Sequence, residues 1–132
     1  MTRDHIYLSG PMTGRVDDNK PAFNAAAERL RSMGFQVINP AAAAEQPSWE
    51  EYMRADIGFL VTECYGLVYL PGWEESRGAL TEVYIANALH MPTVAIDDEL
   101  GLYRLLQLKD AAPSTHQVVM THALPTSKEL LS

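Results

Sequence analysis

An alternation of short apolar segments with longer segments of helical periodicity constrains the fold of this chain more than any other feature. The short segments have the length and composition of buried strands: residues 5–9, 35–39, 65–70 and 93–96. The longer segments carry apolar residues at every third or fourth position: residues 20–33, 49–60 and 77–89. This alternation predicts an α/β fold, a three-layer sandwich whose mainly parallel sheet is of the Rossmann or flavodoxin type.

The first strand, helix and second strand form a compact βαβ unit, which predicts two parallel strands joined by a right-handed crossover. Ser48, with Glu51 three residues later, predicts a capping box at the start of the second helix. Beyond residue 98 the pattern weakens, and we expect a helix over residues 100–108 and a short edge strand over residues 117–120. We expect residues 1–132 to form one domain.

Composition narrows the range of partners and compartments. The formal net charge is −7 and no cluster of lysine and arginine interrupts this acidity, so we expect no nucleic-acid polymer as a partner. The single cysteine, Cys64, allows no internal disulfide, and no segment has the apolar length of a signal peptide or a membrane span. We therefore expect a cytoplasmic protein with no membrane partner. The four histidines lack metal-ligand spacing, so no metal site is predicted, and the sequence indicates no cofactor.

Three loops follow predicted strands and therefore converge on the crevice where open parallel sheets bind ligands. They are residues 10–15, the Asn39-Pro40 turn and residues 71–78. In the first loop, the spacing of Gly10 and Gly14 matches neither the dinucleotide-binding motif nor the P-loop motif. These glycines indicate either a close approach of the backbone to a ligand or an ordinary turn.

The third loop leads into a helix whose first turns carry Glu82. Ser76 and Gly78 lie beside the predicted helix start, where unpaired N–H groups and the helix dipole favour an anion. The carboxylate of Glu82 either faces the crevice or is a solvated group that favours the helix dipole. For a glutamate taken alone at this position, the second interpretation is the more common one.

Two further polar residues each have two interpretations. Asp56, among apolar neighbours in a predicted helix, is either a second carboxylate at the site or a solvent-facing partner of Arg54 or His90. Tyr7, in the first strand, is either a core aromatic residue or presents its hydroxyl at the strand end.

Three further aromatic residues and the cysteine are also considered as site or core residues. Trp73, in its loop, is expected either to stack on a base or to pack at a subunit interface. Trp49 and Tyr52 are assigned to the core. Cys64 has no base near it in the sequence, so a catalytic thiol is not predicted.

The segments that carry these candidates resemble those of the nucleoside 2-deoxyribosyltransferase superfamily, which includes the 2'-deoxynucleoside 5'-monophosphate N-glycosidases. The most specific part is the Ser-x-Gly-x-x-x-Glu pattern of Ser76, Gly78 and Glu82, followed by an alanine-rich helix. Four other segments match in order: Tyr-Leu-Ser-Gly-Pro-Met-Thr-Gly (7–14), Phe-Gln-Val-Ile-Asn-Pro (35–40), Arg-Ala-Asp (54–56) and Leu-Val-Tyr-Leu (67–70). The chain is similar in particular to an uncharacterised branch that is common in bacteriophages and their hosts.

The resemblance implies roles for three residues. In that superfamily a carboxylate attacks C1' of 2-deoxyribose, the base leaves, and water or another base resolves the glycosyl-enzyme ester. Glu82 would be the nucleophile, Asp56 the acid that helps the base to leave, and Tyr7 the group that orients the nucleophile or the sugar. The chain departs from the pattern at Cys64-Tyr65, where many members carry an Ala-Asp or Cys-Asp pair, so that acid is missing. The resemblance also implies a homo-oligomer, a dimer or higher, because neighbouring subunits often complete the site.

The predicted partner is a small nucleoside or nucleotide. The predicted substrate-binding residues are Ser9, Gly10, Pro11, Met12, Thr13, Gly14, Asn39, Gly72, Trp73, Ser76 and Gly78. The resemblance implies that Gly10, Met12 and Gly14 line the base side of the pocket and that Ser76 and Gly78 meet any 5'-phosphate. The predicted function is cleavage or transfer of the N-glycosidic bond of a deoxyribonucleoside or its 5'-monophosphate. The alternative is a non-catalytic protein that senses or sequesters a nucleotide.

Overall fold

A computed structural model describes residues 2–110 and contains one four-stranded sheet in that range. The strands are β1 (His5–Ser9), β2 (Gln36–Ile38), β3 (Cys64–Tyr69) and β4 (Thr93–Ala95). All neighbouring strands are parallel, and their spatial order is β2-β1-β3-β4. This order is that of the first four strands of flavodoxin-like sheets.

Four α-helices cover the sheet in the described part of the chain. They are α1 (Lys20–Ser32), α2 (Trp49–Glu63), α3 (Arg77–Ala88) and α4 (Glu99–Asp110). Apolar side chains of α1 and α4 form one core cluster with the sheet, and those of α2 and α3 form a second cluster. The predicted three-layer α/β sandwich is therefore confirmed.

The first strand shows how the two core clusters divide the sheet. Successive side chains of a strand point to opposite faces. Ile6 and Leu8 belong to the cluster of α1 and α4, whereas Tyr7 belongs to the cluster of α2 and α3. Ser9 follows Tyr7 by two positions and is fully buried. The side chains of Tyr7 and Ser9 therefore lie on the face that α3 covers.

The strand order creates a switch point between β1 and β3. From β1 the chain crosses to β2 on one side of the sheet and then to β3 on the other side. Connections that leave two adjacent strands in opposite directions open a crevice beyond the carboxyl ends of those strands. The loops that follow β1 and β3 meet at this crevice.

Most boundaries lie within one or two residues of the predicted ones. The second strand is shorter than expected, since Phe35 and Asn39 lie outside it. Ser48 caps α2 by accepting a hydrogen bond of 3.2 Å from the backbone N–H of Glu51. The Glu51 carboxylate pairs with Arg54 at 3.3 Å, on the exposed side of the helix.

Two further predictions concern an edge strand late in the chain and the absence of a membrane-spanning segment. The predicted edge strand at residues 117–120 lies outside them. Among residues 2–110, no helix has both the length and the apolar character needed to cross a membrane.

Candidate active site

A cavity of about 820 Å³ lies beyond the carboxyl ends of β1, β2 and β3. This volume is within the range of small-molecule sites, about 300–1,000 Å³. Its walls come from the loop after β1, the segment after β2, one face of α2 and the first turns of α3. The predicted site residues among its lining are Gly10, Pro11, Met12, Thr13, Asp56, Ser76, Gly78 and Glu82.

Glu82 lies on α3 and is the most deeply buried acidic group in the described part of the chain. Its side chain is 5% exposed, yet it contributes to the cavity lining. The hydroxyl of Tyr7 donates a hydrogen bond of 2.7 Å to Oε2, and the hydroxyl of Ser9 donates one of 2.7 Å to Oε1. Glu82 is therefore not a solvated glutamate, and both of its oxygens are held by groups on β1.

Burial dominates the electrostatics of Glu82. It raises the pKa of Glu82 from 4.5 to about 7, because an apolar environment disfavours the ionised carboxylate. The hydrogen bonds from Ser9 and Tyr7 lower this pKa, and the nearby charge of Asp56 raises it. Glu82 therefore changes its charge near neutral pH, as many acids and nucleophiles in active sites do.

Asp56 is the second carboxyl group of the cavity. It is half-buried on α2, and its side chain lines the cavity. Burial raises the pKa of Asp56 from 3.8 to about 6, and interaction with the Tyr7 hydroxyl lowers it in part. The expected alternative partner, Arg54, lies on the exposed side and pairs with Glu51.

Tyr7 connects the core with the site. Its side chain is fully buried, so it is a core residue, and its hydroxyl also reaches Glu82. Burial, followed by the neighbouring Glu82 and Asp56 charges, raises the pKa of Tyr7 well above its ordinary value. The hydroxyl therefore stays protonated and acts as a hydrogen-bond donor.

Two glycines of the site allow close packing. A Cβ atom at Gly10 would lie 2.9 Å from Cβ of Leu70, so the loop after β1 passes directly over the end of β3. A Cβ atom at Gly78 would lie 3.3 Å from the sulfur of Met53, where α3 approaches α2. Both positions favour glycine because a larger residue would push apart the segments that pack there.

Ser76 occupies the start of α3 in a way the sequence did not specify. Its hydroxyl accepts a hydrogen bond of 3.2 Å from the N–H of Ala79 and so caps the helix. The helix start is therefore not fully free for an anion, since one of its N–H groups already has a partner. The backbone of Ser76 and Gly78 still borders the cavity.

Five of the predicted substrate-binding residues are not part of the cavity lining. They are Ser9, which lies in the sheet beside Glu82, and Gly14, Asn39, Gly72 and Trp73. The side-chain amide group of Asn39 caps the short turn Pro40–Ala42 and bonds to Asn24, so Asn39 has a structural function in this conformation. Gly72 and Trp73 border a separate hollow of about 290 Å³, in which the Trp73 ring contacts Tyr69 at a centroid distance of 5.0 Å.

The assignment of Trp49 and Tyr52 to the core is wrong. Both side chains are partly exposed and line the cavity. They lie seven and four residues before Asp56, and residues at these spacings share one face of a helix. That spacing was the available signal, because Asp56 had already been assigned to the site.

Sequence reasoning also missed two arginines. Arg77 lies at the start of α3, and its guanidinium carbon is 3.7 Å from the centroid of the Trp49 ring, a cation–π contact. Arg15 pairs with Glu75 at 3.5 Å, so the loop after β1 contacts the segment before α3. Together with Lys20, these residues bring three cations to the cavity of an acidic chain.

Cysteine and metal chemistry gain no support from the described residues. Cys64 is buried, and burial, with the charges of Glu63 and Asp4, raises the pKa of its thiol to about 12, so it is not a reactive thiolate. Within residues 2–110, no group of three or more His, Cys, Asp or Glu side chains has the arrangement of a metal site.

The fold and the site define an α/β protein with a paired-carboxyl cavity at the switch point of a parallel sheet. A family described as a domain of unknown function (DUF4406) matches residues 4–95, and the chain belongs to this family. The match includes Tyr7, Ser9, Asp56 and Glu82. No curated protein and no solved structure matches the chain.

Proposed function

We propose that this protein cleaves the N-glycosidic bond of a deoxyribonucleoside or its 5'-monophosphate and transfers the deoxyribosyl group to water or to a second base. The observation that carries this proposal is Glu82, a carboxylate that is 5% exposed, lines the cavity and is held through both oxygens by Tyr7 and Ser9. The resemblance of its surrounding motifs to deoxyribosyltransferases supports the assignment of the reaction.

In the first step of the proposed reaction, an oxygen of ionised Glu82 forms a bond to C1' of the sugar. The bond between C1' and the base nitrogen breaks, and its electron pair leaves with the base. The carboxyl group of Asp56 supplies a proton to the leaving base. In the second step, water or the nitrogen of another base attacks C1', the Asp56 carboxylate takes up the proton that the attacking group loses, and the bond between C1' and Glu82 breaks.

The raised pKa of Asp56 supports its assignment as the acid. A general acid must hold its proton near the working pH, and Asp56, with a pKa raised to about 6, holds one more readily than an ordinary aspartate. The nucleophile must be ionised. Burial opposes this form of Glu82, and the hydrogen bonds from Ser9 and Tyr7 favour it.

Aromatic and basic side chains of the cavity support a nucleotide as the substrate. Trp49 and Tyr52 offer planar surfaces on which a base can stack. Lys20 and Arg77 offer positive charge beside the acidic side chains of the cavity, and this charge favours a phosphorylated substrate over a nucleoside. A phosphate at Arg77 can contact the edge of the guanidinium group while its face remains on Trp49.

The decisive experiment follows base release by chromatography. The wild-type protein, Glu82→Gln and the control Glu50→Gln are incubated with deoxynucleosides and their 5'-monophosphates, with and without a second free base. Glu50 is exposed on α2 and does not line the cavity, so its variant should match the wild type. Base release that is lost only in Glu82→Gln supports the proposal, and products that appear only with a second base make the protein a transferase.

Binding without turnover would overturn the enzymatic proposal. If isothermal titration detects a nucleotide bound to the wild type but no substrate releases its base, the protein is the alternative, a nucleotide-binding protein. The phosphate requirement is tested by Arg77→Ala, with exposed Arg104→Ala on α4 as the control. Arg77→Ala should weaken binding of a monophosphate about tenfold and leave binding of the nucleoside nearly unchanged.

We further propose that the protein acts in the cytoplasm as a homo-oligomer. Leu80 and Tyr84 lie one turn apart on α3 and are 45% and 74% exposed, which supports a contact between subunits on this helix. Analytical ultracentrifugation of the wild type and of Tyr84→Glu tests this. A wild type that sediments as a monomer would exclude the homo-oligomer.

A further inference from the structure

Glu82 is faced by hydroxyl groups from two alternate residues of one strand. Tyr7 and Ser9 lie on the same face of β1, and each donates a hydrogen bond of 2.7 Å to a different oxygen of the Glu82 carboxylate. Two donors at separate oxygens fix both the position of the carboxylate and the rotation of its plane. Tyr7 alone would leave that rotation free.

The backbone of Ser9 is held rigidly by the sheet. Ser9 pairs in register with Tyr69 of β3, and its carbonyl accepts a hydrogen bond of 2.8 Å from the N–H of Leu70. Its side chain is 0% exposed and is not part of the cavity lining. Ser9 is therefore placed to act on Glu82 rather than on a ligand.

The hydroxyl of Ser9 favours one charge state of Glu82. A serine hydroxyl has one proton to donate, and here that proton is directed to a carboxylate oxygen. Among the groups that face Glu82, which are Tyr7 and Ser9 from β1 and Asp56 from α2, Ser9 lowers the pKa of Glu82 the most. Burial and the Asp56 charge act in the opposite direction.

We infer that Ser9 is a positioning residue, which holds the buried Glu82 carboxylate ionised and oriented towards the cavity. The inference rests on the proposed function, because it gives Ser9 a purpose only if Glu82 acts as a nucleophile. Ser9 itself forms no bond to the substrate and contributes through Glu82 alone.

The effect of Ser9 on the ionisation of Glu82 can be measured without any substrate. The carboxyl carbons of glutamate are labelled with ¹³C, the Glu82 signal is assigned from its loss in Glu82→Gln, and its titration is followed by NMR. In Ser9→Ala the titration midpoint of Glu82 should rise by about one to two pH units, since a hydrogen bond to a charged group is removed. The control Ser32→Ala, which removes an exposed hydroxyl at the end of α1, should leave it unchanged.

An unchanged or lowered midpoint in Ser9→Ala would overturn the inference. Ser9→Cys is the second variant, used if Ser9→Ala does not fold. It replaces the hydroxyl with a thiol at the same position, which is a weaker donor, so its midpoint should lie between those of the wild type and Ser9→Ala. A midpoint equal to that of the wild type would count against the inference in the same way.

Kinetics separates positioning from a merely structural role. The reactive state requires ionised Glu82 together with protonated Asp56, so each unit of rise in the Glu82 pKa lowers the population of this state about tenfold. In Ser9→Ala, kcat should fall about tenfold to a hundredfold, the alkaline limb of the pH profile should move up with the NMR midpoint, and KM should stay within about twofold. A loss confined to KM, with an unmoved alkaline limb, would overturn the inference. If the wild type turns over no substrate, the proposed function fails, and the NMR titration still decides whether Ser9 holds Glu82 ionised.

Discussion

The hydroxyl of Tyr7 donates a hydrogen bond of 2.7 Å to Oε2 of Glu82, although the two residues are 75 positions apart in the chain. One lies on the central strand β1 and the other on the helix that follows β3. This contact joins the core of the sheet to the cavity at its edge, and several measurable properties depend on it.

Removal of the Tyr7 hydroxyl should destabilise the protein most at alkaline pH. At pH 8, Glu82 is mainly ionised and loses one of two donors in Tyr7→Phe, so the free energy of unfolding should fall by about 1–3 kcal/mol. At pH 5, Glu82 holds its own proton and the loss should be smaller. Urea unfolding at the two pH values measures this. Tyr84→Phe is the matched control, because Tyr84 is 74% exposed and its variant should change stability by less than about 0.5 kcal/mol.

Ionisation of Glu82 should lower the stability of the folded state as pH rises. The pKa of Glu82 is about 7 in the folded protein and near its ordinary value of 4.5 when unfolded. Between these values only the folded state binds the proton, so the stabilisation is complete below pH 4.5 and is lost as pH rises through 7. The total is about 3 kcal/mol.

Glu82→Gln isolates this contribution because it removes the titrating group and nearly preserves the side-chain volume. Between pH 5 and pH 8, the wild type should lose about 2.5 kcal/mol more of its free energy of unfolding than Glu82→Gln does. Chemical unfolding at both pH values gives the difference. The same pH dependence in the two proteins would show that Glu82 does not titrate abnormally.

The rate of base release should have a bell-shaped pH profile. Since the proposed reactive state carries one proton on the Glu82 and Asp56 pair, its population should be highest between their pKa values of about 6 and about 7. In Asp56→Asn the natural substrate should react at least a hundredfold more slowly, within the usual range of about 10²–10⁴ for loss of general acid catalysis.

A substrate with an activated leaving group provides the test of Asp56 as the acid. Such a base leaves without a proton, so Asp56→Asn should regain most of its rate with that substrate. Its profile should then show only a rise with pH, as Glu82 ionises. An equal loss of rate with both substrates would indicate that Asp56 does not protonate the leaving base.

The contact between the loop after β1 and β3 should make Gly10 intolerant of a side chain. A Cβ atom at Gly10 would lie 2.9 Å from Cβ of Leu70, so Gly10→Ala should lower stability by about 1–3 kcal/mol. Gly58→Ala is the matched control within α2, because no heavy atom other than those of its chain neighbours and of the nearby backbone of its own helix lies within 4 Å of its Cβ position. There the better helix propensity of alanine should raise stability by up to about 1 kcal/mol. Thermal and urea unfolding of both variants compare the two effects.

The elements of the fold could be predicted because their signals are local. Strand β1 was predicted with its observed ends, and the cap at Ser48 follows from side-chain chemistry within one helical turn. The alternation of strands and helices in turn indicates parallel pairing and the edge at which ligands bind. Glu82 and Asp56 were accordingly recognised as candidates from their positions relative to that edge.

The state of those candidates was decided by tertiary structure alone. Sequence reasoning left Glu82 as a solvated glutamate or a site residue, because its burial depends on how α3 packs over β1. The hydrogen bonds from Tyr7 and Ser9 join residues that are 75 and 73 positions apart in the chain. Contacts over such separations cannot be predicted from patterns within one strand or helix.

The same limit explains the error at Trp49 and Tyr52. Their helical spacing gives the face of α2 to which they belong, but an aromatic stripe looks the same whether it borders a core or a cavity. Helix α2 packs against the sheet through Leu60 near its end, while its first turns extend beyond the strand ends and face the cavity. The sequence by itself determined the elements and the edge where a site can form. The packing of α2 and α3 decided which side chains meet there, because burial and electrostatics depend on distances between segments that lie far apart in the chain.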